Sequence, residues 1–245
     1  MASFLAALRF LTILPTPSAA ADFKNDTLAR AMPFFPAVGW LVGFLSLSVF
    51  FLFQLFFPER FAILALLVAP ILITGGFHMD GFADFCDGFF GEKDKTEILR
   101  IMKDPRLGTW GTLGVTLCLL IKFELLQILP YKIGYFPMAL ATSRWSQVAL
   151  SFYLPYAGET EGLGRSVAQK IRRQDFLGAT LFLTPFFFWL KGKAVFIFLG
   201  VVISLFPLAW YFKKKIGGLT GDLLGATNEF VELLVFFLAA ALVRT

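Results

Sequence analysis

Seven apolar stretches, at roughly 33–57, 61–77, 107–129, 133–154, 176–190, 194–212 and 228–243, take up most of this 245-residue chain. A helix crosses the hydrocarbon of a bilayer in about 20 residues. Five of the stretches reach or approach that length; 176–190 and 228–243 lie near its lower limit and suit re-entrant insertion as well. A soluble fold could not bury so much apolar surface. Hydrophobic residues make up 58% and charged residues 16%, against about 25% charged in soluble domains. In lipid every backbone polar group needs an internal partner, so spans of this length must be helical. The chain is therefore expected to be an all-α, polytopic transmembrane helical bundle of about seven spans, within bounds of six to eight. No repeat, low-complexity tract or linker divides it, and residues 1–245 read as one integral-membrane catalytic domain.

The basic residues orient the bundle. With the N-terminus in the cytoplasm, 15 Lys and Arg fall on the cytoplasmic side: Arg9, Lys24, Arg30, Lys93, Lys95, Arg100, Lys103, Arg106, Arg165, Lys170, Arg172, Arg173 and Lys213 to Lys215. Five (Arg60, Lys132, Lys191, Lys193 and Arg244) fall on the other side. This is the positive-inside bias, and it accounts for the net charge of +5 without nucleic acid as a partner. It also puts the long polar connections, and so the chemistry, on the cytoplasmic face. Residues 1–17 are apolar but split by Arg9, which predicts a short interfacial or re-entrant helix rather than a cleaved leader. Cys86 and Cys118 have no CxxC spacing, which excludes a disulfide framework and a zinc site of the usual kind.

One polar segment stands out. His78, Asp80, Gly81, Asp84, Asp87 and Gly88 lie among Phe77, Met79, Phe82, Phe85, Phe89 and Phe90. The carboxylates are spaced i, i+4, i+7, which places all three on one helical face. Like charges so close repel unless a cation joins them. An oxygen-only set favours Mg²⁺ or Mn²⁺ over zinc, and magnesium also takes substrate phosphates as ligands. The alternative is a solvated acidic helix start, which the surrounding phenylalanines argue against. His78, the sole histidine, could carry a proton, contact phosphate or make a structural hydrogen bond. Arg100, Lys103 and Arg106 follow as candidate phosphate ligands or as plain positive-inside anchors. Asp104 before Pro105 marks a helix end and is a secondary candidate for ligand or base.

A second constellation lies near the C-terminus. Gly217, Gly218, Gly221 and Gly225 surround Thr220 and Asp222, and Asp222, Glu229 and Glu232 share one helical face. Glu229 and Glu232 enter the last apolar run, where ionisable groups are costly and hence functional candidates. Arg144, inside the fourth run, calls for a buried carboxylate or a substrate phosphate as partner. Lys122 and Glu124 in the third run receive no role.

Acidic segments and basic residues converging on one membrane face suit phosphoryl transfer: a metal neutralises charge, cations hold the oxygens, and a carboxylate takes the nucleophile's proton. Asp84, Asp87 and Gly88 match a fragment of the pattern used by CDP-alcohol phosphotransferases, but the remainder of that pattern is missing. That activity is one alternative. An ion-coupled transporter is another, disfavoured because the acids cluster at one face and no inverted repeat is present.

The chain resembles the cobalamin synthase family, the adenosylcobinamide-GDP ribazoletransferases. The matching residues are Arg9 to Thr12 with Pro15 and Pro17, Pro33 to Gly39 with Gly43, Thr74 to Asp84 with Cys86 to Gly88, Ile101 to Gly108, Ser143 and Arg144, Glu161 to Gly164, and Gly217 to Gly225. Departures are mild: Phe82, Phe85 and Phe89 replace smaller or aliphatic residues, and Pro105 replaces Ser. The resemblance implies joining adenosylcobinamide-GDP to α-ribazole, or its 5′-phosphate, to give adenosylcobalamin, or its 5′-phosphate, and GMP. It also implies Mg²⁺ as cofactor and an inner-membrane location. On this reading Asp80, Asp84 and Asp87 hold the metal, with Asp222 as second metal site or base. His78 is a further catalytic candidate. Arg100, Lys103, Arg106 and Arg144 clamp phosphate, and Asp104, Glu229 and Glu232 are secondary. The residues leave open whether the chain forms a homo-oligomer.

Overall fold

The computed structural model describes residues 2–17, 27–91, 94–130, 132–158 and 171–243. Expectations resting on Lys24, Lys93, Glu161 to Gly164, Arg165, Lys170 and Arg244 lie outside the described residues. Within them the chain is an all-α bundle; its sole β feature is an isolated parallel bridge between Tyr156 and Leu219. α1 (Ala2–Leu11) is a short helix packed on α2 (Thr27–Ala31) and α3 (Phe35–Gln54). α4 (Glu59–Thr74) and α5 (Phe77–Phe89) are joined by Gly75 and Gly76, whose φ of 65° and 75° turn the chain through 91°. Glycine adopts this left-handed backbone without a Cβ clash.

α6 (Lys95–Ile101) is a polar connecting helix, capped by the Asp94 carboxylate accepting from the Glu97 N–H. α7 (Thr109–Ile128), α8 (Lys132–Tyr153), α9 (Arg173–Leu181), α10 (Thr184–Leu190), α11 (Gly192–Ile216) and α12 (Gly221–Ala241) complete the described chain. Four continuous helical stretches are long and apolar enough to cross a membrane: Thr27–Gln54, α7, α11 and α12; the bent α4–α5 pair makes a fifth if it counts as one span. This is a multi-pass membrane protein.

α8 has the length of a span, yet every residue from Gly134 to Ser151 is buried. A helix buried on all sides is the axis of a bundle, and α3, α12, α9, α10 and α11 pack around it. α3 approaches α8 backbone to backbone: a Cβ on Gly39 would strike the Leu140 carbonyl, and one on Gly43 would lie 2.7 Å from Pro137 Cα. Small residues four apart permit this close crossing in lipid, where van der Waals contact takes over the role of the hydrophobic effect. α7 and α11 are peripheral, with only 22% of each apolar window buried.

Two expected spans differ from the helices found. The stretch 176–190 is not one helix but α9 and α10, separated at Phe182 and Leu183. Pro185 has no N–H for the Leu181 carbonyl. That carbonyl instead accepts the Thr184 hydroxyl at 2.7 Å, and the Phe182 carbonyl accepts the Trp40 indole N–H at 2.8 Å. The last span begins at Gly221 rather than 228, so Asp222 sits in its first turn and Glu229 and Glu232 lie two to three turns further in.

Candidate functional site

The two acidic segments, distant in sequence, meet in the fold. α5 and α12 cross where a Cβ on Gly81 would lie 2.7 Å from the Asp222 carbonyl oxygen, and one on Gly225 would lie 3.1 Å from that of His78. Thr220 caps α12 by accepting the Leu223 N–H at 3.2 Å. This fixes the turn that carries Asp222. Asp80 is exposed and Asp84 and Asp222 are half-buried beside it, and the charges of Asp222, Asp80 and Asp87 all bear on Asp84.

Asp87 is engaged differently. Its two carboxylate oxygens accept the Gly108 and Gly111 N–H groups at 2.7 and 2.8 Å. These are unpaired donors at the positive end of α7. A side chain on either glycine would overlap the carboxylate. Asp87 thus anchors α5 to α7. No three Asp, Glu, His or Cys side chains among the described residues stand close enough to ligate one ion unaided. Magnesium does not require it, being held ordinarily by one or two carboxylates with waters and substrate phosphates.

Of these acids, Asp222 faces basic groups across a cleft of about 730 Å³ lined by Lys95, Arg100, Lys103, Tyr156 and Thr220. Lys103 lies within electrostatic range of Asp222. Tyr156 is positioned by its bridge to Leu219, where the Ala157 N–H donates to the Leu219 carbonyl at 2.7 Å. Two of the expected phosphate ligands are held by neighbouring carboxylates. Arg100 donates to both Glu97 oxygens at 2.9 and 2.8 Å, and Arg106 to both Asp104 oxygens at 2.9 and 2.7 Å. The hydrogen bonds from Arg106 draw the Asp104 carboxyl down to about 2.

Arg144 lies elsewhere. Its Nη1 donates to Glu232 Oε1 at 2.6 Å in the interior of the bundle, which matches its expected pairing with a buried carboxylate and removes it from the cleft. Lys122 completes the cluster, donating to Glu229 at 2.6 Å and Glu232 at 2.8 Å, while the Asn228 amide donates to Glu232 at 2.9 Å. Two cations and two carboxylates balance. His78 adjoins them: Arg144 Nη2, which can only donate, stands 3.5 Å from His78 Nδ1, so the imidazole accepts there. Lys122 is the residue that sequence reasoning missed. A lysine within an apolar span, with two glutamates in another, is the signal that would have found it.

The family profile described as cobalamin-5-phosphate synthase matches residues 3–240. The chain is 35% identical to the adenosylcobinamide-GDP ribazoletransferase of Ralstonia pickettii (strain 12J), covering 94% of this chain and 92% of the relative. It is 36% identical to the proteins of that name from Shewanella amazonensis (95% and 92% covered) and Chlorobium phaeobacteroides (96% of both). No solved structure matches. A profile match over nearly the whole chain, with relatives this similar over more than nine-tenths of their length, leaves one assignment: the chain belongs to the cobalamin-5-phosphate synthase family.

Proposed function

We propose that this chain joins adenosylcobinamide-GDP to α-ribazole, or to its 5′-phosphate, and releases GMP, at the cleft between α6 and the α5–α12 crossing. The observation that carries this reading is the Gly81–Asp222 contact, which sets Asp80 and Asp84 of one segment beside Asp222 of the other and opposite Lys103. In the reaction a hydroxyl oxygen of the acceptor bonds to the phosphorus nearest cobinamide. The bond from that phosphorus to the GMP oxygen breaks, and GMP leaves with the electron pair. The acceptor's proton passes to a carboxylate, Asp80 or Asp222, within reach of the attacking oxygen. Lys103 and Lys95, with the N-terminal end of α12, hold the phosphate oxygens. Mg²⁺ held by one or two of Asp80, Asp84 and Asp222, with waters and the diphosphate itself as further ligands, would neutralise charge on the diphosphate. The surplus of Lys and Arg on the connections that carry the cleft supports a cytoplasmic orientation in the inner membrane.

The test is an initial-rate assay of detergent-purified protein with adenosylcobinamide-GDP and α-ribazole, with and without Mg²⁺. GMP release that needs both substrates and stops on chelation is expected. Turnover of CDP-diacylglycerol with none of the corrinoid would overturn the reading.

A further inference from the structure

A second cleft, of about 780 Å³, opens on another side of α5. Its floor is the stripe Gly76, Asp80 and Ala83, at i−4, i and i+3 on the helix. Gly81, one position on, faces α12 instead. Phe10 and Ile13 form one wall, Phe77 and Met79 the next, and Leu107 and Val115 the third. These walls are held in place. Phe10 stacks on Phe35 at 5.9 Å and meets Phe77 edge to face at 5.6 Å, and the Ile13 N–H donates to the Ile73 carbonyl at 2.9 Å. The Thr12 and Thr74 hydroxyls donate within their own turns, to Leu8 and Pro70. Of the side chains described around the cleft, Asp80 is therefore the polar one turned to it without such a bond.

We infer that this apolar cleft is the subsite for the aromatic base of the acceptor nucleoside, which places the attacking hydroxyl at Asp80. The inference rests on the reaction proposed above. Displacement at phosphorus is in line, so nucleophile and leaving group approach from opposite sides. The basic cleft, with its lysines and the α12 N-terminus, suits the leaving nucleotide. Asp80 lines the apolar cleft and Asp222 the basic one, with Asp84 within electrostatic range of both acids, so the acceptor enters from the apolar side. A flat two-ring base needs aromatic and aliphatic walls with few polar partners, which this cleft provides. A corrin ring, rimmed with amide arms, would leave most of its hydrogen bonds unmade here. A lipid tail would have no use for Asp80.

The cleft can be narrowed at exposed or half-buried positions by Leu107→Trp and Val115→Phe, which leave the core intact. With the full-length protein in detergent and Mg²⁺, each substrate is varied separately, using α-ribazole and the smaller imidazole riboside as acceptors. The KM for α-ribazole should rise roughly tenfold or more while the donor KM stays within about twofold, and the penalty should shrink for the smaller base. Equal penalties for both acceptors, a raised donor KM, or unchanged kinetics would overturn the subsite. Equilibrium binding of radiolabelled α-ribazole, which needs no turnover, separates the two ideas. Binding weakened by the substitutions upholds the subsite even if GMP release fails, and binding that they leave unchanged rejects it.

Discussion

The molecule carries charge in two regions built on opposite rules. In the interior, Lys122, Arg144, Glu229 and Glu232 are each less than a tenth exposed and bonded to one another at 2.6 to 2.8 Å. At the α5–α12 crossing, Asp80 is exposed, Asp84 and Asp222 are half-buried, and like charges stand side by side. The interior cluster is balanced in charge; the acids at the crossing are not. Charge that has been neutralised by its neighbours holds helices together. Charge left in surplus has work to do on something that arrives from outside.

Substitutions can break this contrast, beginning with the largest effect. Lys122→Met leaves two buried carboxylates with Arg144 as their remaining cation, and should cost about 3–5 kcal/mol of stability. The measurement is the unfolding midpoint in detergent. Pairing the change with Glu229→Gln should restore more than half of the loss. A single variant as stable as the parent would mean that the interior cluster holds nothing together.

Next come Asp80→Asn and Asp222→Asn, each expected to lower turnover by about 10²–10³-fold, or about 3–4 kcal/mol in the barrier, with the melting temperature unchanged. Equal losses of stability and activity would erase the distinction between the regions. The smallest effect is that of Asp87→Asn, which weakens the charged anchor on the α7 N-terminus by about 1 kcal/mol. It should lower the melting temperature slightly and spare most turnover. An inactive but fully stable variant would return Asp87 to the site.

Much of the fold could be read from apolar length alone, because a bilayer demands a continuous helix of fixed minimum size. At 176–190, a stretch short enough for either a span or a re-entrant insertion, Pro185 divides the chain into α9 and α10. At the last span the apolar run starts at 228 whereas the helix starts at Gly221, because the glycines and Asp222 of its first turn carry no apolar signal. The acidic face of α5 followed from spacing, but what each acid meets did not. Asp87 finds its partners at Gly108 and Gly111, backbone groups that carry no side-chain signal. Arg100 and Arg106 are matched by Glu97 and Asp104, three and two residues away, a short-range pairing open to inspection in the sequence. Lys122 depended on tertiary neighbours more than a hundred positions distant.

The contact at Gly81 has one more consequence. Main chain rests on main chain there, with no side chain between. The spacing of the two main chains that carry Asp80 and Asp222 is therefore set by the thickness of two peptide backbones. Even a methyl group at position 81 would act as a shim, prising apart the two jaws on which the reacting phosphate must be gripped.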